Sequence, residues 1–232
     1  MVEEERIMAV DKTNVVAKII KAILAGAFIG LGGLGFILAK NAGFKFIPSL
    51  VFPVGLFSIC MFGWDLYTGK IGFAIEKESG LGVWDLLLML ACNLFGAALI
   101  GLVGYAIVMN NESLLASAQA VAEGKFGNFD GVAVGLILLK SFFCGIFVFL
   151  AVFWFKKSNT FVEKVLAVWI PIAMFVFLGL DHCIANMFYM FAGFHFTWQA
   201  IVAVLIAVVG NSLGAIVFNL AIKAIAPKEP KA

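Results

Sequence analysis

Charge is what this sequence lacks most. Asp, Glu, Lys and Arg make up 13% of its 232 residues and hydrophobic residues 63%. From Leu166 to Ile222, 57 residues hold one formal charge, Asp181. A chain this poor in charge cannot dress a core in a solvated shell, and its apolar runs are long enough to cross a bilayer as helices, so it reads as an integral membrane protein. The net charge of +2 is small and its lysines stand between apolar runs, which excludes a nucleic-acid partner. Cys60, Cys92, Cys144 and Cys183 lie inside apolar runs without C-x-x-C spacing and read as packing residues, with no metal site expected. The glycines at 26, 30, 32, 33 and 35 follow no strand and precede no Gly-Lys-Ser/Thr, which excludes a phosphate loop and leaves close helix packing. The Asn-Pro-Ala pair of water and glycerol channels is missing. Glu3, Glu4 and Glu5 stand where a secretory signal would be basic, so the N-terminus is expected to be retained.

What is present divides into six apolar segments, roughly Ala22 to Ala39, Phe46 to Phe62, Leu86 to Met109, Val132 to Phe155, Val165 to Leu180 and Ala200 to Ala221. They form one transmembrane domain over residues 1–232: a cytoplasmic amphipathic helix over 1–21, a first repeat over 22–109 and a second over 132–226. The amphipathic assignment rests on Val15, Val16, Ile19, Ile20 and Ile23 at helical spacing among Lys12, Lys18 and Lys21. The second and fifth segments are short, contain Pro48, Pro53 and Pro171, and end in Gly63-Trp64-Asp65 and Gly179-Leu180-Asp181 with more apolar sequence beyond. That pattern predicts helices broken inside the membrane, where unwound backbone is tolerated only if it is buried in protein or lines a cavity.

The halves repeat. Lys21 and Gly26 match Lys140 and Gly145 at an offset of 119, Pro53 matches Pro171 at 118, the Gly-x-Asp breaks match at 116, and Asn93-x-x-Gly96-Ala97 matches Asn211-x-x-Gly214-Ala215 at 118. Three spans per half force the second half upside down, so the expected fold is all-α, six transmembrane helices in a 3+3 inverted repeat whose breaks meet near the midplane. With the N-terminus inside, 12 Lys and Arg residues face the cytoplasm while Lys40, Lys45 and Lys125 lie outside, which predicts a multi-pass protein of the cytoplasmic membrane with both termini inside. Lys140 falls too deep in the fourth segment to reach the interface easily and is expected to face a polar path.

Asp65 and Asp181 begin resumed half-helices and are expected to cap free N–H groups there. His182, beside the lone acid at the midplane, is expected to face the pore. His195, in an aromatic outer connection, reads as an interfacial residue. A haem-binding respiratory subunit using His182 and His195 as axial ligands is the alternative from another class.

Gly63-Trp64-Asp65-Leu66-Tyr67-Thr68-Gly69 resembles the omega-loop motif of the formate/nitrite transporter family, and Asp181-His182-Cys183-Ile184-Ala185-Asn186-Met187-Phe188 resembles its fifth-helix signature. The resemblance spans nearly the whole chain. It implies a channel rather than an enzyme, without cofactor: an aquaporin-like protomer, assembled as a homopentamer in the lipid bilayer, that passes small monovalent anions. It further implies constrictions at Phe52, Leu56, Leu66, Tyr67, Val148 and Phe175, around a chamber with Thr68, His182 and Asn211 that binds the anion or relays a proton. A family lysine near the chamber maps onto Lys125 or Lys140. Three departures from the family pattern, Asp181 for glutamate, Gly145 for asparagine and Ala215 for glycine, tell against formate as the main substrate, and the chain as a whole looks most similar to the hydrosulfide channel branch. Hydrosulfide is therefore the expected main substrate, with formate and nitrite also permeating and a primarily formate or nitrite channel as the alternative. The residues themselves leave open whether His182 lends a proton or only a hydrogen bond.

Overall fold

Glycine places the breaks, the prolines lying inside or at the start of the helices that precede them, and uninterrupted apolar sequence makes the long helices. The computed structural model describes residues 2–226, with side chains from residue 14 onward except at 77. Its helices are α1 (Val2–Asn41), α2 (Ile47–Val51), α3 (Pro53–Phe62), α4 (Tyr67–Lys70), α5 (Val83–Val108), α6 (Glu112–Phe126), α7 (Gly131–Lys157), α8 (Phe161–Phe177), α9 (Cys183–Ala192) and α10 (Trp198–Ile225). Among the described residues there is no strand.

Four stretches of 26–28 residues, in α1, α5, α7 and α10, are long and apolar enough to cross a membrane. A fifth span is the bent pair Ile47–Phe62 and Tyr67–Ile75, kinked by 64°. The sixth is α8 followed by the 10-residue α9. The expected all-α architecture with broken second and fifth spans is therefore the observed one.

Two elements differ from expectation. The N-terminal helix does not end at residue 21; α1 runs unbroken from Val2 to Asn41, because no proline interrupts it and its helical phase carries straight into the span. The connection between the repeats is not a plain loop but holds α6, whose N-cap Asn111 accepts from the Leu114 N–H at 3.2 Å. The lysines at 228 and 231, used in the orientation count, lie outside the described residues.

The packing also sorts the chain ends into two faces. On one, Lys18 of α1 pairs with Asp85 of α5 at 2.9 Å, Lys156 of α7 lies 3.7 Å over the Phe73 ring, and Asn219 of α10 donates to Gly72 O and Glu76 Oε1 at 2.8 and 2.9 Å. On the other, Ser117 of α6 donates to Asn41 at the end of α1 at 2.9 Å, and Glu123 meets His195 at 3.7 Å. Lys18, Lys70, Lys156 and Lys223 thus share one face, as their expected common side requires.

Candidate functional site: two stapled breaks and the path between them

At each break the backbone leaves its helix through a glycine in the left-handed region, Gly63 at φ 67° and Gly179 at φ 66°, a conformation that costs glycine nothing and other residues more. The freed polar groups are then collected by one asparagine. Asn93 Oδ1 accepts from the Tyr67 N–H at 2.7 Å, and its Nδ2 donates to Ala22 O at 2.7 Å and Asp65 O at 2.9 Å. Asn211 repeats the pattern: Oδ1 accepts from the Cys183 N–H at 2.9 Å, and Nδ2 donates to Ser141 O at 2.8 Å and Asp181 O at 2.9 Å. Both asparagines are fully buried. The repeat offset seen in sequence is therefore a repeat of hydrogen bonds. Close backbone approach makes each staple possible: a Cβ on Gly26 would strike the Asn93 backbone, and one on Gly145 the Asn211 backbone. No asparagine side chain fits at 145, so the departure there reflects packing.

The aspartates do not cap the resumed helices, contrary to expectation. Asp65 pairs with Lys70, and Asp181 accepts from Lys125 Nζ at 2.8 Å and Asn186 Nδ2 at 3.2 Å. Each is engaged by a lysine, which leaves the capping position to the next residue. In α4 that residue is Leu66, without a side-chain cap; in α9 it is His182, whose Nδ1 accepts from the Ala185 N–H at 3.2 Å. An accepting Nδ1 carries no proton, so the proton of the neutral ring sits on Nε2, which donates to Thr68 Oγ1 at 2.9 Å. This bond joins the two repeats. Both ring nitrogens of His182 are engaged, and His195 lies past the far end of α9 against Glu123, so the two histidines do not face a common haem.

A cavity lies on each side of that bond. The one toward the face of Asn41 and His195, called the outer cavity for the expected orientation, is about 240 Å³; it is lined by Phe52, Phe175, His182, Asn186 and Tyr189 and rimmed by Lys40, Lys125 and Lys140. The inner one, about 270 Å³, is lined by Leu56, Leu66, Cys60 and Trp64 with Lys70 and Lys156. Phe175 contacts Phe52 edge-on at 5.6 Å between centroids and stacks on His182 at 6.0 Å. The predicted constrictions thus separate into an outer pair, Phe52 and Phe175, and an inner pair, Leu56 and Leu66. Val148 is buried in the core cluster they share. Tyr67 lines neither of these two cavities; its hydroxyl donates to Ser212 Oγ at 2.9 Å and its ring packs with Phe149 and Met89. Thr68 and Asn211 are fully enclosed.

The two candidate chamber lysines occupy different places. Lys125 reaches the break itself, donating to Gly179 O at 3.2 Å, Leu180 O at 2.8 Å and the Asp181 carboxylate. Lys140 lines the outer cavity and a neighbouring one shared with Glu123 and Asn128, and is exposed, with no ion-pair partner among the described residues. Sequence reasoning gave no site role to Asn93, although its match to Asn211 was the available signal. It also gave none to Lys70, Lys156 or Tyr189.

A sequence profile described as "Formate/nitrite transporter" matches residues 4–225 of the chain. Among curated relatives, the chain is 32% identical over 223 residues to "Uncharacterized transporter YrhG" of Bacillus subtilis, covering 86% of this chain and 81% of that protein. It is 31% identical over 219 residues to "Formate channel BtFdhC" of Bacillus thuringiensis, covering 85% and 82%. Among solved structures, it superposes on a "Pentameric formate channel with formate bound" with a TM-score of 0.74 at 22% identity, over 92% of this chain and 96% of that one. An "FNT family ion channel" gives 0.79 at 22% identity, over 96% and 95%.

Proposed function

Because the chain belongs to the formate/nitrite transporter family, we propose that it assembles as a homopentamer in the cytoplasmic membrane, both termini inside, and that each protomer passes small monovalent anions between its two cavities. It is a multi-pass membrane transport protein and not an enzyme, as its relatives are. The observation that carries the reading is the His182–Thr68 bond between two lysine-rimmed cavities. Desolvating a small ion costs on the order of 20 kcal/mol by the idealised Born estimate and several kcal/mol after relaxation. Lysines at each mouth raise the local anion concentration, while the His182 and Thr68 donors offset part of that cost inside the constriction.

Formate is the first substrate on this reading. The departures that told against formate, at Asp181, Gly145 and Ala215, change no group at the constrictions. Asp181 pairs with Lys125, Gly145 gives way to the Asn211 backbone, and Ala215 is buried in the cluster around Phe149. Hydrosulfide is the second reading, favoured by the narrow Phe52–Phe175 contact, which a single-heavy-atom ion passes most easily. Flux into proteoliposomes of formate, nitrite, hydrosulfide and chloride, measured side by side, tests the proposal. The first three should exceed chloride and protein-free vesicles. Hydrosulfide flux alone would select the second reading, and no flux above the controls would end both.

The slit makes its own prediction. Phe175→Ala removes the ring that touches both Phe52 and His182, so propionate, excluded by the parent channel, should enter through the variant. An unchanged size limit in an intact oligomer would show that Phe175 only fills the core.

A further inference from the structure

The wall of the outer cavity carries polar groups that the path above leaves unused. His182, Asn186 and Tyr189 follow one another on α9 at spacings of four and three and all line that cavity, which is what one helix face produces. His182 has both nitrogens engaged. Asn186, 1% exposed, donates through Nδ2 to Asp181, and its Oδ1 is the one buried side-chain polar atom among the described residues that receives no hydrogen bond. The amide orientation is fixed, because turning it over would set oxygen against the Asp181 carboxylate. Tyr189, 5% exposed, packs its ring against Phe36 and Phe188. Its hydroxyl makes no hydrogen bond among the described residues.

Buried polar groups are nearly always paired, so the open Asn186 acceptor, with the cavity-lining Tyr189 hydroxyl one turn away as a donor, specifies what would complete the pair. The complement is a small molecule with an acceptor and a donor on adjacent oxygens. A carboxyl group has this arrangement; hydrogen sulfide has no oxygen and only a weak S–H donor.

We propose that Tyr189 and Asn186 form a recognition subsite for the carboxyl group of a small monocarboxylic acid. The Tyr189 O–H donates to the carbonyl oxygen and Asn186 Oδ1 accepts the acid's O–H. Lys40, Lys125 and Lys140 around the cavity hold carboxylate in the mouth, the acid form is drawn from its equilibrium with solvent, and no protein group changes protonation. The proposal rests on the anion-channel reading and deepens it, making Tyr189 a determinant of choice between oxyacids and hydrosulfide.

Tyr189→Phe is the test, since it keeps the ring and its packing and removes one hydroxyl. Formate and hydrosulfide fluxes are measured on the same proteoliposome preparations of parent and variant, with the oligomer verified by its elution. The half-saturating formate concentration should rise, and the formate-to-hydrosulfide flux ratio should fall, by about tenfold, the worth of one hydrogen bond. A packing role would move both fluxes together, and an unchanged ratio overturns the subsite. A parent channel that carries hydrosulfide but no formate also overturns it while leaving the channel reading intact. A parent that carries neither anion overturns the channel reading itself.

Discussion

Asn211→Leu should be among the most destabilising single substitutions in this protein. Leucine matches asparagine in volume but leaves the Cys183 N–H and the Asp181 carbonyl unpaired and takes from the Ser141 carbonyl, inside α7, its second donor, all bonded to Asn211 at 2.8–2.9 Å. Each unsatisfied buried group costs about 1–3 kcal/mol. Some of that is recovered as the break relaxes, so the net loss should be on the order of 3–5 kcal/mol. Melting of the detergent-solubilised oligomer, followed by elution after heating, should shift down by about 10 °C. Asn93→Leu should do the same, because Asn93 makes the same three bonds in the first repeat. Equal damage from the two leucine variants is the signature of an inverted repeat in which one amide closes each break; damage from one alone would break that equivalence.

His182→Leu should abolish transport with far less effect on assembly. It removes the Nε2–H donor to Thr68 and the cap of α9, and gives α9 the residue type that holds the same capping position in α4, Leu66. The second repeat then offers the central passage no donor at this position. Losing about 2–3 kcal/mol of stabilisation at the narrowest point lowers flux on the order of a hundredfold. The lost cap alone costs about 1 kcal/mol, so the oligomer should persist. Near-parental formate flux in an intact His182→Leu oligomer would show that the ions do not pass this bond.

Much of this arrangement was legible in the sequence because it is built from residue types with few other uses. Pro53, Pro171 and the two Gly-x-Asp sequences mark broken helices, and the matching offsets of Asn93 and Asn211 announce the staples. What each residue does at a break was less legible. An aspartate before a half-helix is a natural cap, but the lysines that capture Asp65 and Asp181 come from residues 70 and 125, and nothing in the spacing of Lys125 says that α6 folds back onto the fifth span. The same long-range contact separates Lys125 from Lys140. Tyr67, expected at a constriction, packs away from both cavities, and Tyr189, given no role, lines one, for a similar reason. In a chain with 25 phenylalanines, aromatic periodicity does not tell which ring faces a cavity and which faces Phe149. The continuity of α1 was hidden because a surface helix and the first turns of a span share one amphipathic pattern.

If His182 is a neutral, fixed donor in the middle of the path, the pH dependence of formate flux through His182→Asn should show it. Asparagine keeps an acceptor for the Ala185 N–H and an amide donor on a shorter side chain, but it cannot titrate between about pH 5 and 8. The variant's flux, normalised to its maximum, should follow the parent profile across that range. A profile that separates from the parent's in an intact oligomer would instead make His182 a proton relay.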